Sequence, residues 1–425
     1  MVFHPRENWD IRRGRRDYTR REFIQRSAAL GVLLPGVSSL LAACGGGEAE
    51  LGKLVVGTPT APVTQPLRGE AVASGLPVEE GPLRIYNWAD YINPDVLPRF
   101  TEETGIETEV SIYYNEEEAI RKLSSGEVSF DVWFPVASSV AKSVAGGLVQ
   151  PINHDYLPNL ANVWSTLQDP YYDGGAQYTV PYVLYTTGIG WRVDMVDSAD
   201  VEGIDMPWDV FWNSKYKDIT GLYDDYRETL KVSAIRNGST DPDNIDQSEL
   251  DAAADSLIEL VDLVNIRYTI DGAYVGIPEG RYGLHHAWSG DMVNAAYYFP
   301  EDGDPSVTRY LWPAKAENPA VAQIANDTMT VLAGAEHPVA AHTFINWMLD
   351  NDNALENFGW MGYQPPISAI DPATLIADEW VAPNVETAII TPEDFENPNA
   401  NVPIQFQPDV DAAWLEAWSR VQGTA

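Results

Sequence analysis

Cysteine occurs once, at Cys44, in a chain of 425 residues, which excludes an intrachain disulfide and a metal cluster held by several thiolates. Basic residues are also scarce. Only 26 Lys and Arg stand against 63 Asp and Glu, giving a formal net charge of −37. Nucleic acid is gripped through clustered Lys and Arg, so this balance argues against it as a partner and favours a cationic ligand or simply a soluble protein. No G-x-G-x-x-G, Walker loop, H-E-x-x-H or G-x-S-x-G pattern occurs, which removes the signatures of a nucleotide enzyme, a zinc protease and a serine hydrolase. Of six histidines, His285 and His286 are adjacent; on a strand they face opposite sides, so they read as structural and no metal site is expected.

What is present indicates a folded chain. Apolar residues make up 45% and aromatics 11%, including 14 Trp and 21 Tyr, and the length fits two domains with appendages. Charge is unevenly distributed. Residues 1–43 carry eight Arg against four acids, a local balance of +4, so the remainder carries −41. The basic stretch runs into an apolar segment, Ser27 to Ala43, broken by Pro35 and Gly36; it is short for a membrane span and suited to the apolar core of a signal peptide. Arg20-Arg21-Glu22-Phe23-Ile24 resembles a twin-arginine export signal, and Leu41-Ala42-Ala43-Cys44 resembles a lipobox in which Cys44 is lipidated. Residues 1–43 therefore read as a signal peptide. Residues 44–81, rich in Gly, Pro, Ala, Val and Thr without helical or strand period, read as a flexible tether.

From Pro82 the pattern alternates. Leu83–Trp88, Glu107–Tyr113 and Phe130–Phe134 read as strands, with helices expected at about 94–104 and after Glu116, where Glu116, Glu117 and Glu118 are placed on solvated faces. Strand, helix, strand, helix, strand implies an α/β fold with a parallel sheet, whose ligands gather at the carboxyl ends of the strands. Tyr178 to Trp191 reads as an extended crossing between domains. Further strands are expected at 219–223, 282–288 and about 329–333, and helices at 208–215, 247–264 and 338–349. Ser289 to Asp291 is expected to be a loop.

Aromatics interleave with acids near the predicted strand ends: Trp88, Asp90 and Tyr91; Asp225 and Glu228; Trp288 and Asp291; Asp327; Tyr363. Carboxylates hold ammonium groups through charge-assisted hydrogen bonds, and aromatic faces hold the methylene chain and add cation–π attraction. A linear diamine or polyamine would use both. Most single acids in so acidic a chain are nevertheless surface charges, and Trp is commonly core.

Leu83 to Glu109 (LRIYNWADYINPDVLPRFTEETGIETE) resembles the opening of the spermidine/putrescine-binding proteins of ABC transporters. The resemblance extends, in order, through Phe130-Asp131-Val132, Thr187-Gly188-Ile189-Gly190, Asp225-Tyr226-Arg227-Glu228, Trp288-Ser289-Gly290-Asp291 and Thr343 to Leu349. It implies aromatic packing by Trp88, Tyr91 and Trp288, amine-binding carboxylates at Asp225, Glu228, Asp291 and Asp327, Asp90 in the first loop, and further contacts from Tyr363 and Gln407. Where the family has hydroxyl residues beside the first amine site, this chain has Ala89 and Val136, which puts the identity of the ligand in question.

The resemblance also implies a two-lobed periplasmic-binding-protein type II architecture with a hinge, lobe 1 comprising 82–185 plus 292–364 and lobe 2 comprising 186–291 plus 365–425. The expected function is an exported, lipid-anchored receptor, not an enzyme and without cofactor. It would act as a monomer that closes on putrescine or spermidine and presents it to ABC permease subunits. A receptor of the same fold for a sugar or another organic cation is the nearer alternative. A secreted glycoside hydrolase is the alternative of another class, because paired carboxylates with Trp platforms also describe a sugar-cleaving cleft.

Overall fold

The structure, a computed structural model, describes residues 53–424. The expected export signal, residues 1–43, and Cys44 lie outside the described residues. Strand β1 (Leu83–Trp88) leads through helix α1 (Val96–Thr104) to β2 (Thr108–Tyr113), then through α2 (Glu116–Ser125) to β3 (Val132–Trp133). These three strands are parallel, with β1 in the middle and Ile85 opposite both Val110 and Val132. The local signals are plain. Gly105 and Gly126 end α1 and α2 in the left-handed conformation that glycine adopts without strain, and Asn115 caps α2 by accepting from Glu118 N at 3.0 Å.

Helix α3 (Val140–Ala145) follows, and then the chain enters β4 (Val180–Arg192), a long strand whose first twelve residues are all buried. Its first half pairs antiparallel with β9 (Ala322–Val331), from Val180 opposite Met329 to Thr186 opposite Ile324. Both strands then run on. The end of β9 pairs with β3 in the first lobe, and the end of β4 pairs with β7 (Leu284–Trp288) and β8 (Thr308–Leu311) in the second. The two lobes thus share these two crossing strands. Burying Val183, Leu184 and Ile189 completely, at about 1.5–3 kcal/mol each, fixes them in place.

The second lobe continues with β5 (Thr220–Leu222), α4 (Tyr226–Arg236), α5 (Gln247–Val264) and β6 (Arg267–Tyr268), where β5 lies between and parallel to β6 and β7. After β7, helix α6 (Ser289–Asn294) begins at once, so the expected loop at Ser289–Asp291 is a helix start. Helices α7 (Pro338–Met348) and α8 (Asn351–Met361) follow β9, and the short β10 (Ala400–Asn401), paired with the start of β9, precedes α9 (Pro408–Gln422). Helix α9 packs on α5 and α4.

Two expectations are corrected. The second crossing lies at β9 rather than at residue 291, because β8 completes the second lobe by pairing with Ile189 to Arg192 of β4 before the chain returns. The supposed flexible tether is, from Lys53 onward, fastened to the body. Gln65, 3% exposed, donates to the carbonyls of Val55 and Tyr172, and the Tyr178 hydroxyl engages Arg68 N and Pro66 O. Glu79 accepts from Val339 N and Ala340 N at the start of α7. A segment without side-chain period gives no helix or strand signal, yet individual hydrogen bonds from its own side chains and from those of the body fasten it in place.

Among the described residues no helix is long and apolar enough to cross a membrane. His285 and His286 are both fully buried on β7, where burial pushes the His285 imidazole down to about 4 and the His286 imidazole well below its usual value.

Candidate ligand-binding site

Strand ends and helix starts converge on one cavity between the lobes, lined by Trp88, Asp90, Tyr91, Asp225, Glu228, Trp288, Asp291, Asp327 and Tyr363. Sequence reasoning named all nine. Trp88 ends β1; its Nε1 donates to the Phe134 carbonyl at 3.0 Å, and its ring leans on Tyr113 with centroids 4.6 Å apart. Asp90 turns the chain after β1 with φ 55°, a left-handed conformation that Asp tolerates better than most residues. Trp288 ends β7 and stacks on Tyr223, with centroids 4.0 Å apart and planes 21° apart.

The carboxylates are set into this aromatic frame. Asp291, in the first turn of α6, accepts from the hydroxyls of Tyr223 at 2.7 Å and Tyr363 at 2.6 Å. Asp327, in the middle of β9, accepts from the Tyr91 hydroxyl at 2.7 Å through Oδ2, while Oδ1 has no hydrogen-bond partner. Glu228, in the first turn of α4, accepts at Oε1 from Trp288 Nε1 at 2.9 Å, Gln323 Nε2 at 2.6 Å and Thr187 Oγ1 at 3.3 Å. Asp225 is the N-cap of that helix and accepts from Arg227 N and Glu228 N, so its first task is to start α4 and aim Glu228.

Burial dominates the electrostatics. It pushes Asp291 and Asp327 each up to about 7, and Glu228 likewise to about 7, with the Asp225 charge adding to the rise at Glu228 and the Glu228 charge adding to it at Asp327. The hydroxyl and indole hydrogen bonds oppose the shift without cancelling it. Carboxylates this costly to ionise are poised to receive a cation, which would lower the cost of their charge. The cations nearby are already engaged: buried Lys231 pairs with Asp243 at 2.7 Å, and Arg227 lies 3.9 Å over the Phe406 ring.

Gln407 is outside the cavity. Its amide forms a two-way pair with the backbone of Leu54, at 2.9 and 3.0 Å, and so holds the N-terminal segment rather than a ligand. Several lining residues had been missed. Gln323 lies four residues before Asp327 on β9, hence on the same strand face, and that period was the signal that could have found it. Tyr185 on β4 had no such marker, because every residue around it is apolar or buried. Glu116 and Glu117 were read as solvated but border the cavity.

Residues 96–386 match the family of bacterial extracellular solute-binding proteins, more than half of the chain. The chain belongs to that family. The spermidine/putrescine-binding periplasmic protein of Salmonella typhimurium is 28% identical to this solute-binding protein over 285 residues, covering 67% of this chain and 77% of the relative. The putrescine-binding periplasmic protein PotF of Escherichia coli is 26% identical over 362 residues, covering 83% and 94%. A solved structure described as a putative spermidine/putrescine ABC transporter from Listeria monocytogenes superposes with a TM-score of 0.69 at 22% identity, covering 81% of this chain and 99% of its own. That likeness establishes the two-lobed type II fold of periplasmic binding proteins.

Proposed function

We propose that this solute-binding protein captures a linear polyamine between its lobes and delivers it to an ABC permease. The observation that carries the reading is the set of buried carboxylates in one aromatic cavity, Asp291, Asp327 and Glu228, all raised to about 7 by burial, while the two lining cations, Lys231 and Arg227, are engaged by Asp243 and by the Phe406 ring. Ammonium groups spaced along a flexible aliphatic chain satisfy such acids, and the faces of Trp88 and Trp288 accommodate the methylenes between them. The names of the relatives support the same ligand class. The protein is a receptor and not an enzyme: family membership supports capture without turnover, which leaves the glycoside hydrolase reading without support. It is exported by the twin-arginine route and tethered through lipidated Cys44, with the eight residues from Gly45 to Gly52 separating the anchor from the fastened segment.

A thermal-shift panel tests the ligand class. Putrescine and spermidine are expected to raise the melting temperature, each stabilising by about 2.7 kcal/mol at a hundredfold excess over Kd, while sugars and amino acids leave it unchanged. Stabilisation by a sugar alone would overturn the proposal.

A further inference from the structure

Glu116 opens helix α2, on the lobe-1 side of the cavity, and faces a wall built by three pieces of chain. Its Oε1 accepts from Val136 N at 3.3 Å. Val136 in turn is bridged, backbone to backbone, with Asp327 of β9. Glu116 is thus bonded to the backbone of Val136, the residue bridged to Asp327, and both carboxylates line the same cavity. Glu116 keeps some exposed surface as a residue, but Oε2 is shielded from solvent and has no hydrogen-bond partner. Asp327 is only 4% exposed, and its Oδ1 also lacks a partner.

We propose that Glu116 and Asp327 jointly form an ammonium subsite, with Glu116 Oε2 and Asp327 Oδ1 as the two acceptors. The inference rests on the polyamine reading and adds to it a contact residue on α2. Three observations converge. Two shielded acceptor oxygens in one cavity have no donor from the protein, and a protonated amine supplies up to three. The Glu116 carboxyl is held well above its usual range, first by burial and next by the charge of Asp327, so the pair repels itself until a cation lies between its members. The walls beside it are aromatic, Trp88 leaning on Tyr113, which suits an ammonium carried on an aliphatic chain.

The remaining carboxylates differ in kind. Asp291 has both oxygens engaged by tyrosine hydroxyls, and the acids whose charges reach it are Asp271 and Asp90 rather than Glu116 or Asp327. Glu228 has one oxygen engaged three times over. The cavity thus offers anionic stations at separated points. Its ligand carries cationic nitrogens at more than one position, and at the Glu116–Asp327 station two carboxylate oxygens are both shielded from solvent and without a partner.

Isothermal calorimetry with spermidine tests this on three proteins: wild type, Glu116→Gln and Glu118→Gln. The last removes the same formal charge from the same helical turn, at an exposed position outside the cavity. Thermal melts without ligand confirm that each is folded. Glu116→Gln is expected to weaken spermidine binding about ten- to hundredfold, the loss typical of a hydrogen bond to a charged group, while Glu118→Gln stays within twofold of wild type. Equal affinity in Glu116→Gln and wild type overturns the subsite, and so does an equal loss in both variants, which makes the effect one of overall charge. Binding of neither spermidine nor putrescine by the wild type overturns the polyamine reading and the subsite with it, an outcome distinct from the other two; a wild type that takes only putrescine is titrated with putrescine and judged by the same ratios.

Discussion

Asp291 and Asp327 anchor the account chemically, because each is buried, hydrogen-bonded by tyrosine and raised to about 7. Replacing either with Asn preserves the shape and removes the charge. Each change is expected to cost about 2–5 kcal/mol of polyamine binding, measurable by titration calorimetry. The raised values also set a pH dependence. A carboxyl titrating near 7 is partly protonated at neutral pH, and only its ionised form attracts an ammonium, so binding releases protons at pH 7 and affinity falls as pH drops below about 7. Calorimetry in two buffers of different ionisation enthalpy measures that release. No proton release at pH 7 would show that these groups are already ionised or do not meet the ligand. Gln407 supplies a contrast: because its amide is engaged by Leu54, Gln407→Ala is expected to leave affinity within twofold, and a tenfold loss would return it to the site.

Helices from opposite lobes meet beside the cavity, which Glu117 and Tyr226 line. Lys142 on α3 pairs with Glu117 of α2 at 2.7 Å and reaches Asp411 of α9 at 3.5 Å, while Asp411 accepts from the Tyr226 hydroxyl of α4 at 2.5 Å. Lys142 and Glu117 belong to the first lobe, Asp411 and Tyr226 to the second. A partly exposed ion pair of this kind contributes about 0.2–1 kcal/mol. Lys142→Met is therefore expected to speed ligand release about two- to fivefold with little change in association rate, as stopped-flow measurement can show. Unchanged release would mean that the pair does not hold the closed arrangement. The elements themselves were unevenly legible in the sequence. The β1–α1–β2–α2–β3 run was readable because glycines and strand alternation punctuate it. Helix α4 was not, since Glu228 to Ile235 are buried on every side and Lys231 hides its charge against Asp243, leaving no amphipathic stripe. Glu116 was misread for a related reason: among three consecutive acids, nothing in the pattern marks which one the Asn115 cap turns toward Val136.

Two lobes sharing β4 and β9 can close on a ligand by bending those strands, provided the ligand contacts both sides at once. Here Tyr91 and Glu116 face the cavity from the first lobe, Glu228 and Asp291 from the second, and Asp327 from the shared strand. The nine lining residues were legible as aromatics interleaved with acids near predicted strand ends, and the resemblance assigned their roles; the segment from Lys53 to Gly81 was not legible, because its fastening depends on partners a hundred and more residues away, such as Tyr172 and Tyr178. Residues 44–425 carry −41; among the described residues most of the acids lie at the surface, and the recognition proposed here uses a few buried ones. The central claim is that buried carboxylates between the lobes select a polyamine. Its most direct test is calorimetry of spermidine and putrescine against the wild-type protein and Asp327→Asn. The account predicts one-to-one binding of at least one of the two amines by the wild type, with a loss of tenfold or more in the variant. Equal binding by both proteins, or no binding of either amine by the wild type, would contradict it.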